Sequence, residues 1–129
     1  MKRWVVAWGP AAIWAAFLFF MSSRPTVPVD LSMGLDKVAH FGAYFVLGLL
    51  LAHGATRFSY PAVVAIVLGA LYGASDEWHQ SMVPGRAAEA GDWVADTLGT
   101  IAGVALFIYL RRRRTSASRA TATALESAS

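Results

Sequence analysis

The chain contains no cysteine, so it has no disulfide, no thiolate nucleophile and no Cys-based metal site. Charge is scarce as well: Asp, Glu, Lys and Arg make up 15% of its 129 residues, against roughly a quarter in ordinary soluble domains. Its apolar runs also lack the stripe periodicity that gives a soluble helix one polar face. These absences exclude a disulfide-stapled secreted domain and a water-soluble helical bundle. No ligand spacing such as HExxH is present, and the expectation is no metal and no cofactor.

What is there is hydrophobic, 57% of the chain, and it is concentrated in four runs. With their flanking residues they give spans at about 4–21, 36–53, 60–78 and 93–110, each long enough to cross a hydrocarbon core of ~30 Å. The expected fold is an all-α membrane protein, a bundle of about four transmembrane helices. It occupies residues 1–114, and an Ala-, Ser- and Thr-rich tail at 115–129 is expected to be disordered and cytoplasmic. The first run is longer than the usual ~7–15-residue core of a signal peptide and has no Ala-x-Ala site close behind it, so it is read as an uncleaved span.

Orientation follows from the basic residues. With both termini cytoplasmic, Lys2, Arg3, Arg57, Arg111, Arg112, Arg113, Arg114 and Arg119 lie inside, and Arg24, Lys37 and Arg86 outside. Eight against three satisfies the positive-inside rule. The Arg111 to Arg114 run then reads as a stop-transfer anchor at anionic headgroups, and no nucleic-acid partner is expected.

Between the first two spans, Pro25 and Pro28 mark an outer loop over residues 22–30. The short connection at 54–59 makes the second and third spans antiparallel neighbours, and Pro84-Gly85 turns a second outer loop over 81–91. Gly69-x-x-x-Gly73 and Gly99-x-x-x-Gly103 permit close helix packing, either within the chain or in a homo-oligomer.

The scarce polar residues fall at the outer ends of three spans. Asp36, His40 and Tyr44 share one face of the second, Asp76 and Gln80 one face of the third, Asp92 and Asp96 one face of the fourth. Tyr44 lies roughly 12 Å deeper than Asp36 at 1.5 Å rise per residue. Ionisable groups at that depth cost ~2.5–3.5 kcal/mol each on insertion scales, so they are expected to face one another in an outward-opening polar pocket. The candidate ligand-binding residues are Asp36, Lys37, His40, Tyr44, Asp76, Glu77, Gln80, Arg86, Asp92 and Asp96, with Arg86 as the nearest cation for the acids. Plainer roles compete. Asp36 and Asp92 sit where N-caps would, Glu77 and His79 lie near a helix end, and Trp4, Trp78 and Trp93 suit an interfacial belt.

Four motifs in order, D-K-x-x-H-F-x-x-Y at 36–44, D-E-x-x-Q at 76–80, P-G-R at 84–86 and D-x-x-x-D-x-x-G at 92–99, resemble the VanZ-like family. These are small bacterial integral membrane proteins named for a teicoplanin-resistance protein. The resemblance implies a multi-pass protein of the bacterial plasma membrane, associated with the cell envelope and with glycopeptide tolerance. Asp96 departs from the pattern, standing where such proteins usually carry Asn; it adds a charge when ionised and removes an amide donor.

Two functions follow as expectations. One is a binding module in the lipid bilayer that takes a lipid headgroup or a cell-wall precursor, with Arg86 and Lys37 engaging its anionic groups. The other is a membrane enzyme acting on a lipid-linked substrate, with His40 or Glu77 as general base, Asp76 as a further catalytic candidate, and Ser75 or Ser81 as the hydroxyl nucleophile.

Overall fold

A computed structural model describes residues 2–25 and 34–127 of the chain. Four α-helices are present among the described residues: α1 (Lys2–Ser22), α2 (Leu35–Gly54), α3 (Pro61–Gln80) and α4 (Ala90–Ser127), with a 3-10 turn at Ala55–Arg57. The starts and stops have local causes. Gly34 takes a left-handed conformation (φ 93°) and caps α2, and Pro61 occupies the first turn of α3, where its missing N–H costs nothing. Gly85, at φ 81°, turns the α3–α4 connection as its place after Pro84 predicts. Most of the expected first outer loop falls outside the described residues.

Three helices are long and apolar enough to cross a membrane by length and composition, over Lys2–Ser22, Leu35–Arg57 and Ala90–Arg119. The remaining long helix, α3, carries Asp76, Glu77 and Gln80 in its last turns, and these lower its apolar character. The tail expected to lack regular structure instead continues α4 to Ser127. Its alanines favour helix, and its hydroxyl side chains return hydrogen bonds to the preceding turn, Thr115 to the Arg111 carbonyl and Thr123 to that of Arg119.

Packing is inverted relative to a soluble domain. Ile13 is 74% exposed and Val38 66%, whereas Asp96 and Thr100 are fully buried. Large apolar side chains cover the outside of every helix, a surface suited to lipid and not to water. Small residues and polar groups fill the inside, where Ala11, Tyr44, Leu47, Ala52, Ala65 and Val104 form the core. The chain is a membrane protein.

The most extensive interface is between α2 and α4. Equivalent positions advance together along it, from Lys37 with Asp92 and His40 with Asp96 to Phe45 with Gly103, so the two helices run parallel. A Cβ on Gly99 would strike the Phe41 carbonyl oxygen, and one on Gly103 the Phe45 carbonyl oxygen. Glycine at both positions lets backbone meet backbone, and it places the Gly99 motif inside the chain. Gly69 and Gly73 likewise face Thr100 and Asp96 of α4.

Three side chains hydrogen-bond across helices to backbone carbonyls: Trp14 Nε1 to Ala43 (2.9 Å), Tyr72 OH to Ala15 (2.6 Å) and Trp93 Nε1 to Ala70 (3.0 Å). Each such bond is worth about 0.6 kcal/mol in a membrane. Trp93 thus ties α4 to α3 in addition to sitting near an interface.

Replacing Gly99 by Leu is expected to lower stability by about 1–3 kcal/mol, because α2 must move away from α4. Gly42→Ala, where an added Cβ meets nothing within 4 Å, is expected to be neutral or stabilising. Reversible unfolding of the two variants in detergent, followed by circular dichroism, measures the difference.

Candidate functional site

Helix direction brings the start of α2, the end of α3 and the start of α4 to one end of the bundle. Six of the chain's eight acids gather there: Asp36, Asp76, Glu77, Glu89, Asp92 and Asp96. In the outer layer, the Lys37 ammonium lies 3.2 Å from Asp36 Oδ2, 2.9 Å from Glu89 Oε2 and 3.0 Å from Asp92 Oδ1. Neither aspartate is an N-cap: Gly34 caps α2 without a side-chain bond, and Asp92 lies within the first turn of α4. Both still sit at a helix N-terminus, where the backbone dipole favours a carboxylate.

The inner layer is buried. His40 Nδ1 and Asp96 Oδ1 share a hydrogen bond at 2.9 Å, and His40 Nε2 lies 3.8 Å from Asp92 Oδ2. Gln80 Nε2 donates to Asp76 Oδ2 (3.0 Å), joining residues one helical turn apart on α3. Glu77 is 7% exposed, and its Oε2 accepts the backbone N–H of Glu89 at 2.8 Å. Several buried oxygens have no hydrogen-bond partner among the described residues: Tyr44 Oη, Asp76 Oδ1, Glu77 Oε1 and Asp96 Oδ2, with the Thr97 and Thr100 hydroxyls on the same helix as Asp96.

One expected member lies elsewhere. Arg86 pairs with no acid among the described residues; its Nη1 donates to the Ser22 carbonyl at 3.3 Å. The physical reason is that the Ser22 carbonyl, in the last turn of α1, carries the negative end of the helix dipole, while Lys37 already neutralises the outer acids. His79 points away from the cluster, stacking on Phe19 and sharing a 2.9 Å hydrogen bond with Ser23 Oγ, so it fastens α3 to α1. His53 lies at the far end against Phe107, away from the site as its position predicts.

Glu89 is the residue that sequence reasoning missed. It lies in a loop with no helical face to betray it, and only its place three residues before Asp92 hinted at a role. A cavity of about 690 Å³ opens at the other end of the bundle, beside Tyr60, Phe107, Arg111, Arg112 and Arg119, and contains none of the nominated residues.

The family model described as VanZ/LLP1 matches residues 7–111. That range runs from the first helix through the membrane-length part of the fourth. The chain belongs to the VanZ/LLP1 family. No curated protein and no solved structure matches it. In this chain the D-K-x-x-H motif of α2 and the D-x-x-x-D motif of α4 are the two halves of one layered contact, Lys37 with Asp92 and His40 with Asp96.

Replacing Lys37 by Met leaves three carboxylates facing one another. The variant is expected to unfold at a lower temperature than wild type at neutral pH and low salt. The deficit should shrink as salt screens the acids. Lys37→Arg is expected to restore most of the loss, and detergent melting curves across a range of salt report all three effects.

Proposed function

We propose that this chain is a multi-pass protein of the bacterial plasma membrane with four spans and both termini cytoplasmic, and that its polar end binds a cell-envelope component at the outer face. The observation that carries the reading is the layered cluster of six acids, Lys37 and His40 in a bundle otherwise apolar. Insertion of so many ionisable groups is unfavourable, and interhelical hydrogen bonds repay little of that cost, so a ligand-binding role explains them better than scaffolding does. Basic residues gather at the other end, as an inward-facing end requires: Arg57 lies over the Trp4 ring, beside the start of α1.

The charge balance favours a particular headgroup. Lys37 is committed to acids and Arg86 to a backbone carbonyl, so the site is acidic and suits an amine-bearing envelope amphiphile over one whose only charge is a phosphate. Phospholipid headgroups with an amine and lipid-linked cell-wall precursors share that chemistry. A link to glycopeptide tolerance draws its support from family membership.

Native mass spectrometry of the detergent-purified protein tests the binding role with phosphatidylethanolamine, phosphatidylglycerol and a lipid-linked cell-wall precursor as probes. Preferential retention of an amine-bearing probe by the wild type, weakened at least about tenfold by Asp76→Asn with Asp92→Asn, is the expected outcome. Equal retention of all probes by both proteins would remove the reading. For topology, the absence of cysteine leaves a clean background. Ser81→Cys is expected to react with an impermeant maleimide in intact cells, and Ser59→Cys only after permeabilisation.

The His40–Asp96 pair supports the second reading, a membrane enzyme, because a carboxylate that orients an imidazole leaves the other ring nitrogen free to act as general base. Glu77 is the weaker base candidate, since one of its oxygens is tied to the Glu89 amide. Turnover of a retained lipid-linked probe, lost in His40→Gln with binding intact, would establish this activity.

A further inference from the structure

We infer that the inner layer is a divalent-metal site built by His40, Glu77 and Asp96. One donor atom from each of these residues lies within 4.8 Å of the other two, although the residues come from three different helices. Donors about 2 Å from a shared ion lie roughly 3–4 Å apart, so modest side-chain adjustment closes the set.

Juxtaposed acids alone would not carry the inference. The second observation is that two of the three ligands are almost wholly buried, Asp96 at 0% and Glu77 at 7% exposure, and each keeps one carboxylate oxygen without a hydrogen-bond partner among the described residues. Asp76, at 6%, adds a third such oxygen beside them. Buried polar atoms are ordinarily satisfied, and a buried carboxylate ordinarily meets a cation.

The outer layer of the same site provides an internal comparison. Asp36, Glu89 and Asp92 form a similar cluster of donors, and the Lys37 ammonium sits among all three. Among the described residues nothing equivalent reaches the inner layer: Lys37 is occupied above it, and Arg86 turns to Ser22. An imidazole facing Glu77 and Asp96 supplies at most one positive charge against two carboxylates. A divalent ion supplies the remainder and uses the free oxygens as ligands.

The donor types narrow the metal. One imidazole nitrogen with carboxylate oxygens and no sulfur suits Zn²⁺ or Mn²⁺, while Ca²⁺ and Mg²⁺ prefer all-oxygen sites. Asp96 is decisive, because an amide in its place gives a neutral oxygen where an anionic one is available here. An ion held at this depth would also bring positive charge to an acidic site, letting the phosphate of an envelope amphiphile approach while its amine meets the outer acids. That last consequence rests on the binding role proposed above; the metal site does not.

The test uses the full chain, purified in detergent through a tag that binds no metal, stripped with chelator and dialysed against Zn²⁺ or Mn²⁺ separately, with Mg²⁺ and Ca²⁺ as controls. Elemental analysis is expected to find about one Zn²⁺ or Mn²⁺ per chain, with affinity at least about tenfold lower in Asp96→Asn and in Glu77→Gln. His53→Gln, at the far end of the bundle, is expected to bind like wild type. Electron spin-echo modulation of the Mn²⁺-loaded wild type reads the imidazole directly, as a ¹⁴N coupling that needs no variant. A folded wild type that binds neither ion, an Asp96→Asn variant that binds as tightly, or Mn²⁺ bound without a ¹⁴N coupling would each overturn the site. Lipid retention by the metal-free protein separates the two proposals: a chain that keeps its amphiphile but no metal refutes only the metal site, and one that keeps metal but no amphiphile refutes only the binding role.

Discussion

The close approach of α2 and α4 is the constraint on which the rest of the molecule depends. Gly99 and Gly103 let the α4 backbone rest against the Phe41 and Phe45 carbonyls of α2, and that separation sets the lengths of the polar bonds above it. Lys37 reaches Asp92 and His40 reaches Asp96 because the two helices are parallel, in register and as near as main chains permit. A bulkier residue at either glycine would separate the pairs as well as the helices. The packing motif and the polar motifs, a few residues apart in the chain, are therefore parts of one device.

The bundle resolves a conflict between its solvent and its content. Lipid rewards an apolar exterior and penalises ionisable groups, so the polar side chains are drawn inward and toward one end. There they stratify: the half-exposed outer layer is closed by an ammonium, and the buried inner layer holds an imidazole and carboxylates with unsatisfied oxygens. α1 completes the arrangement from outside, with Trp14, Ser23 and the Ser22 carbonyl bonded to α2, α3 and the loop that carries Arg86.

Much of this could be read from the residues. The four helices lie close to the apolar runs, and a turn at Gly85 follows from its neighbours. Asp36, His40, Asp92 and Asp96 were legible because four-residue spacing inside an apolar helix puts them on one face. Glu77 was ambiguous, because its nearness to the helix end suggested exposure, whereas it lies beside His40 and Asp96 with the Glu89 amide bonded to its Oε2 and is buried. Arg86 has a different partner from the one expected, because proximity along the chain gives no account of the Ser22 carbonyl at the end of α1.

Hydrophobicity and periodicity are local properties, so the sequence by itself determined that the chain is helical, that its solvent is lipid and which faces carry polar groups. Which polar groups meet is a matter of helix order, direction and separation, and that was decided only in the tertiary structure. No spacing in the chain announced His40, Glu77 and Asp96 as a ligand set, since each comes from a different helix. Their donors converge because glycine lets α2 and α4 touch and a short turn returns α3 beside them, and neither distance is written in any one segment.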